Sequence, residues 1–378
     1  MKLLIISNMA HYRRDGQIVG WGPAVQEINH LAELFQEIRH VGCYHEEPAP
    51  QSALAYSSRR ISLVPVPPAG GPRWRDKLGI LRLTPLYVRT ILRELRQADA
   101  VHVRGPANIP LLAMMLLALT RHPSRRWIKY GGNWRPAGPE AWSSSFQRWW
   151  LQLGLHRGRV TVNGRWEDQP PHVVSFNNPC LTESELAQAR ELVASKALEP
   201  PVRMLYAGRL ETPKGLAQVI ETLAGLERRS IPARLDLVGD GPERSRFEAL
   251  AADLGVADRV CFHGWKPRHE LDAYYTRAHF FLLPSRTEGW PKVLAEAMAY
   301  GVVPIASAVS SIPQILRECA TGLALPAEDA ESFAEAVAAY VADPERWRAE
   351  SRAGTLAADR FTYEHYLRQV RALLLEAR

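Results

Sequence analysis

The chain has 378 residues, of which 46% are hydrophobic and 23% charged, and its formal net charge is +7. That balance excludes a mainly disordered chain and a small disulfide-stapled fold, and the length predicts two domains, or three. The charge is uneven: residues 1–175 carry 23 Lys and Arg against 12 Asp and Glu, whereas residues 176–378 carry 24 against 28. A boundary near 175 therefore separates a basic half from a mildly acidic one. A basic half favours anionic lipid, phosphorylated ligands or nucleic acid. Nucleic acid is the weakest of these, because no recognition motif is present and the aromatics are not spaced as a base-stacking platform.

Cys43, Cys180, Cys261 and Cys319 are far apart, with no C-x-x-C pair. That fits a reduced cytosolic protein with buried thiols and argues against a cysteine-based zinc site. No apolar run reaches the roughly 18 residues of a spanning helix. Residues 3–7 are too short for a signal-peptide core and predict a buried strand at the start of a cytoplasmic domain.

Gly20-Trp21-Gly22-Pro23 follows and predicts a glycine-rich loop, although a plain structural turn fits the same residues. From 24 to 35, Val25, Ile28, Leu31, Ala32 and Phe35 recur at helical spacing, and Pro23 suits the first turn. Strands are expected at 40–44, 61–66, 100–103, 127–130 and 160–162, with helices near 79–97, 109–120 and 140–153. Segment 73–97 holds seven positive and two negative charges, from Arg73 onward, interleaved with Trp74, Leu78, Leu81, Leu86, Tyr87 and other apolar residues. Such a cationic amphipathic helix suits an anionic membrane surface, with an ordinary solvated surface helix as the alternative.

A clearer series starts near 202. Strands are expected at 204–207, 235–238, 259–262, 280–283 and 302–306, and helices at 216–228, 243–254, 270–277, 291–300 and 330–341. Segment 177–201, with Pro179, Pro200 and Pro201, reads as a linker containing a short helix. From 362, Tyr366, Leu367, Val370, Leu373 and Leu374 form one helical stripe. The alternation predicts an α/β chain of two doubly wound, Rossmann-like domains, 1–176 and 202–358, with 359–378 packing back on the first. Ligands in such folds bind at loops following the strands and at helix N-termini, here expected in a cleft between two facing sheets.

The loop that follows 280–283 is the most informative. Glu288 and Gly289 form a turn, Pro291 starts a helix and Gly301 caps its end. Backbone N–H groups near Lys292, Val293 and Leu294 suit a phosphate, and Glu296 sits one turn further in, where a carboxylate can accept from a ribose diol. A solvated Glu on a surface helix is the plainer reading, but Ala295, Ala297 and Ala299 argue for a buried helix.

Glu288 and Glu296 stand in the frame S-x-x-E-G-x-x-x-x-x-x-E-A-M-A-x-G-x-x-P. This resembles the E-x7-E signature of retaining glycosyltransferases of family 4, which have the GT-B fold. Gly208-Arg209-Leu210 with Lys214-Gly215, Leu237-Val238-Gly239-Asp240-Gly241-Pro242, and Val260-Cys261-Phe262-His263-Gly264-Trp265 resemble further family landmarks in the same order. The resemblance is strong from 202 to 345 and weaker before it.

The resemblance implies that Arg209 and Lys214 grip the donor diphosphate and stabilise the leaving nucleoside diphosphate. A cationic clamp of that kind makes a divalent metal unnecessary. It also implies Glu288 facing the transferred sugar, Glu296 on the ribose, and Gly264, Trp265 and Lys266 beside the nucleobase. The turn Gly289-Trp290-Pro291-Lys292, with Val293 after it, would present backbone N–H groups to the donor, those of the residues other than Pro291, and Gly22 would belong to a loop closing over it. No cofactor is implied beyond the donor, a UDP- or GDP-linked sugar. One departure stands out: where many members have a His after the strand at 127–130, this chain reads Gly131-Gly132-Asn133-Trp134. His102, Lys129 or Asn133 then takes that place, or the reaction proceeds without it.

The expectation is a retaining, metal-independent glycosyltransferase acting on a lipid-linked or cell-envelope glycan at the inner face of the cell membrane. Two other readings stay open: a sugar-nucleotide epimerase of related fold, and a non-catalytic module binding nucleotide or polyanion.

Overall fold

The computed structural model describes residues 1–70, 74–136, 138 and 140–376, without the side chains of 74–78. Arg73 and the side chains of Trp74 and Leu78, read above as part of the cationic segment, lie outside the described residues. By its contacts the chain divides into two compact units. The first holds Met1–Trp134, Gly138–Phe176 and Tyr366–Arg378; the second holds Arg135–Ala137 and Asn177–His365.

The first unit is built on a nine-stranded sheet: β1 (Lys2–Arg14), β2 (Gln17–Trp21), β3 (Glu37–Tyr44), β4 (Ala53–Ala55), β5 (Ile61–Val66), β6 (Ala100–Gly105), β7 (Arg125–Tyr130), β8 (Arg159–Val162) and β9 (Val173–Ser175). Seven of these strands run parallel in the order β5-β3-β1-β6-β7-β8-β9. Helices α1 (Gly22–Leu31), α2 (Trp74–Leu95), α3 (Asn108–Leu119) and α4 (Trp142–Gln152) connect them.

Strand β1, with 13 residues, is more than twice as long as the apolar run at 3–7 predicts. Its second half turns through Asp15 (φ 50°) and Gly16 (φ 77°) into an antiparallel hairpin with β2. Two central residues with positive φ define a tight hairpin turn whose twist matches that of the strands, and Asp-Gly is the sequence that takes it. The signal was present in Arg14-Asp15-Gly16-Gln17. It corrects the loop expected at 20–23: Gly20 and Trp21 pair with β4, and Gly22 is already helical. Glycine is required there by packing, since a Cβ on Gly22 would lie 2.8 Å from the Ser52 carbonyl oxygen.

The second unit has a six-stranded, all-parallel sheet in the order β12-β11-β10-β13-β14-β15, formed by β10 (Val202–Ala207), β11 (Ala233–Val238), β12 (Val260–Phe262), β13 (Phe280–Leu283), β14 (Val303–Ser307) and β15 (Leu323–Leu325). Its helices are α5 (Glu183–Val193), α6 (Leu216–Arg228), α7 (Arg244–Asp253), α8 (Arg268–Arg277), α9 (Lys292–Ala299), α10 (Ile312–Glu318), α11 (Ala330–Ala342), α12 (Pro344–Ala357) and α13 (Tyr363–Arg371), the last running on into the first unit. Fully buried strands such as Phe280–Leu283 carry no alternation because helices cover both faces. β15, α10 and α12 were not read from the sequence; β15 has only three residues, and Pro313 and Pro344 sit in first helical turns, where proline is tolerated.

The segment read as a linker is packed. Thr182 and Glu185 form a reciprocal capping box that starts α5, and Leu181, Leu186 and Ala189 are buried in the second unit's core. At the other end, Tyr366, Leu367, Val370 and Leu374 enter a first-unit cluster with Leu3, Ile5 and Trp127, while Phe361 is buried in the second unit.

Candidate active site

In the second unit the strand order reverses between β10 and β13. Loops leaving neighbouring strands there diverge to opposite faces of the sheet and open a crevice at its carboxyl edge. The residues selected from the sequence in this half follow four strands: 208–215 after β10, 239–242 after β11, 264–266 after β12 and 284–296 after β13.

Backbone contacts tie these loops together. Gly208 N–H donates to Val238 O (2.9 Å), Leu210 N–H to Asp240 O (3.1 Å) and Gly239 N–H to Gly264 O (2.9 Å). Gly239 has φ 139° and an added Cβ would stand 1.8 Å from the Gly208 carbonyl oxygen. The glycine pair Gly239 and Gly241 thus shapes a backbone-on-backbone contact. Gly215 does the same across the crevice: its φ is 75° and a Cβ there would fall 2.2 Å from the Pro284 carbonyl oxygen. Arg286 N–H donates to Pro213 O at 3.1 Å.

That lacing brings Lys214 to Glu288. The Lys214 ammonium donates to Glu288 Oε1 at 2.6 Å, with the Glu288 side chain 12% exposed and that of Lys214 33% exposed. Arg209 does not join them directly; its guanidinium pairs with Glu211 and is largely solvent-exposed. The two cations therefore present one charge held against Glu288 and one held by Glu211 at the solvent-exposed rim.

Gly289 is fixed from β14's side by Ser310, whose hydroxyl donates to the Gly289 carbonyl at 3.0 Å. Trp290 is buried and stacks on Phe361 at 5.4 Å between ring centroids, so its indole is an anchor for the turn. Pro291 is the N-cap residue and Lys292 begins α9, one residue later than expected. Val293 is half-buried against the core.

Glu296 is buried. Tyr275 donates its hydroxyl to Glu296 Oε2 at 2.9 Å, and Arg268 Nε lies 3.5 Å from Oε1. Burial alone would lower the Arg268 pKa, but Glu296, Tyr275 and Asp272 outweigh it and raise it. Burial and then Glu296 push the Tyr275 phenol well up, so it stays a donor. Arg268 and Tyr275 were not picked out from the sequence; their link to Glu296 is made only by packing α8 against α9. On the other side of the crevice Trp265 is 39% exposed, Gly264 has φ 69° and Lys266 pairs with Glu270 at 3.1 Å.

His102 is corrected. It lies on β6, fully buried, with its ring stacked on Trp127 at 3.6 Å. Burial, reinforced by Arg104, holds its pKa well below 6.5, so it is a neutral core histidine. Lys129, weighed as a substitute for the family histidine, is also committed: it donates to Glu27 Oε1 at 2.8 Å and Oε2 at 3.0 Å. Arg104 (2.7 Å) and Tyr366 (3.0 Å) donate to the same Glu27 carboxylate. This buried cluster went unread because its members come from α1, β6, β7 and α13.

Residues 189–355 match the family described as Glycosyl transferases group 1. This segment is a group 1 glycosyl transferase domain. It contains all of the second unit's candidate site residues. Over 151 residues the chain is 34% identical to a putative colanic acid biosynthesis glycosyltransferase, WcaL, of Escherichia coli, covering 38% of this chain and 37% of that protein. Over 153 residues it is 35% identical to a GDP-mannose-dependent alpha-(1-6)-phosphatidylinositol monomannoside mannosyltransferase of Mycolicibacterium smegmatis, covering 39% and 40%. The chain thus spans about two fifths of the length of the curated relatives it matches. In structure it resembles a sucrose-phosphate synthase from Thermosynechococcus elongatus, with a TM-score of 0.71 at 22% identity over 98% of each chain. The chain has the GT-B fold, with two Rossmann-like units, and the group 1 domain is the second of them.

Proposed function

We propose that the protein is a retaining glycosyltransferase that moves a sugar from a nucleoside-diphosphate sugar, UDP- or GDP-linked, to a hydroxyl of a lipid-linked or cell-envelope glycan. The observation that carries this reading is the Lys214–Glu288 pair at the carboxyl edge of β10 and β13. Lys214 and the exposed Arg209 supply positive charge for the pyrophosphate, where charge develops as the bond to the sugar breaks. The N–H groups that open α9 add the partial positive charge of a helix start. Glu296, held by Tyr275 and Arg268, accepts from the ribose. Gly264, Trp265 and Lys266 stand beside the base, and Glu288 faces the sugar. No protein metal is needed for this clamp. Gly22 opens α1 in the first unit, which in this proposal selects the acceptor.

The names of the relatives support a polysaccharide or lipid-linked context: one acts in colanic acid biosynthesis and another on a phosphatidylinositol mannoside. Among the described residues no helix is long and apolar enough to cross a membrane. Peripheral contact with an anionic, cytoplasm-facing leaflet is supported by α2, where Arg82, Arg89 and Arg93 are exposed along one side, and by the exposed Arg96 directly after it. Trp142 and Trp149, 77% and 51% exposed on α4, add an aromatic row of the kind that seats at a lipid interface.

A thermal-shift panel of nucleotide sugars and free nucleoside diphosphates tests the reading, since a ligand that binds only the folded state raises its apparent stability. The expected result is a shift with one nucleotide class, and donor turnover that falls by about two to three orders of magnitude in Lys214→Ala. Conversion of the donor sugar without any acceptor would instead favour an epimerase.

A further inference from the structure

Cys261 is on β12 and His263 follows two positions later, so their side chains leave the same face of the chain. The parallel register sets Asp236 of β11 opposite Cys261. His263 Nε2 is 2.6 Å from Asp236 Oδ1, and one ligand atom from each of the three side chains lies within 4.8 Å of the other two. β12 is the edge strand of the second sheet, so the group opens to solvent. Cys261 is exposed and its thiol is free.

The surroundings orient the three groups. Tyr274 packs edge-on against the His263 ring at 4.7 Å. Arg277 donates from Nε to Asp236 Oδ2 at 3.1 Å, with a second nitrogen 3.0 Å from Oδ1, and its guanidinium lies 4.4 Å from the Tyr274 ring centroid. Ligating carboxylates are commonly held in this way by an outer hydrogen-bond donor.

We propose that Asp236, Cys261 and His263 form a divalent metal site of zinc type, with solvent as the fourth ligand. One thiolate, one imidazole and one carboxylate match the donor preferences of zinc, which binds them at about 2.0–2.3 Å in a tetrahedron. Ligand atoms in such a tetrahedron stand roughly 3.5 Å apart, so the His263–Asp236 contact opens by about an ångström when the ion enters. Thiolate and carboxylate offset the ion's charge, and the thiol proton leaves to solvent on binding. The ion braces the edge strand and the turn directly after it, where Gly264 accepts from Gly239. It takes no part in sugar transfer. The site was invisible to cysteine spacing because only one of its ligands is a cysteine and the carboxylate lies on the neighbouring strand.

The test uses the full chain, stripped with chelator and titrated with cobalt(II), then zinc(II). A thiolate-to-cobalt charge-transfer band that saturates near about one equivalent is expected, together with a tetrahedral visible spectrum. Zinc should displace the cobalt and raise the melting temperature. Cys261→Ser should abolish the band, and His263→Gln should weaken zinc binding by about tenfold or more, each without lowering the metal-free melting temperature appreciably. Absence of the band in the wild type overturns the site, as does a zinc-induced melting shift that survives both substitutions. In that event Asp236, His263 and Arg277 are only an ion-pair network.

Discussion

Lys214 and Glu288 are 74 positions apart in sequence, yet the ammonium donates to the carboxylate at 2.6 Å. Two glycine-mediated contacts create that meeting: Gly215 against Pro284, and the row of loops pinned by Gly239. The pair holds a cation in the crevice in a defined place before any ligand arrives, which lowers the cost of ordering it on binding.

Replacing Lys214 by Ala should reduce donor turnover by about two to three orders of magnitude, the usual effect of losing one donor to a developing charge. The side chain is partly exposed, so the melting temperature should stay close to that of the wild type. Turnover measured beside a melting curve checks both; retained turnover would remove Lys214 from the clamp.

Gly239→Ala should act on the same crevice through the backbone. Its φ of 139° and the 1.8 Å approach to the Gly208 carbonyl leave no room for a methyl group. A loss of about 3 kcal/mol or more in urea unfolding, or displacement of the loops with loss of donor-induced thermal shift, is expected.

The Glu27 carboxylate accepts from Arg104, Lys129 and Tyr366. Truncating it to Ala takes a carboxylate away from buried Lys129 and partly buried Arg104, and removing one partner of such a pair typically costs about 3–5 kcal/mol. Chemical denaturation should show this, and Glu27→Gln, which keeps the shape, should fall between. A neutral outcome would mean that water replaces the carboxylate.

Acid should destabilise the protein before its carboxylates titrate. Burial lowers His11, His156 and His279 from 6.5 to about 4, and holds His40 and His102 well below 6.5. Each binds a proton more readily when unfolded, so stability is full above the unfolded pKa and falls as pH drops from about 6.5 toward about 4. Melting temperatures across that window should decline, and His156→Gln should flatten the slope. A flat wild-type profile would contradict neutral burial of these rings.

Replacing Arg89, Arg93 and Arg96 by Glu should release the protein from anionic vesicles in a co-sedimentation assay, with more release at higher salt in the wild type. Replacing Trp142 and Trp149 by Ser separates the aromatic contribution, which should be less sensitive to salt. Unchanged sedimentation in both variants would reject α2 and α4 as the membrane-facing elements.

The second unit was legible because its signals are local. A buried strand such as Phe280–Leu283 is a continuous apolar run, and α6 runs from Leu216 to Arg228 as its periodicity requires. The first unit was read less well where structure depends on partners. β4 and β9 have three residues each and exist only by pairing, and the second half of β1 is polar enough to look like a loop. Segment 177–201 holds the short helix expected there, α5, and its prolines, which mark chain stiffness, gave no sign that Leu181, Leu186 and Ala189 would be buried.

The sequence alone determined which residue types follow each strand of the second unit, and hence that cations, acids and glycines gather at one sheet edge. Tertiary structure decided their partners. It set Lys214 on Glu288, Arg268 and Tyr275 on Glu296, and His102 beneath Trp127, because those contacts depend on strand order and helix packing, which place residues tens of positions apart within hydrogen-bond reach. Spacing along a chain encodes a loop's chemistry; only the closing of one loop on another encodes its charge balance.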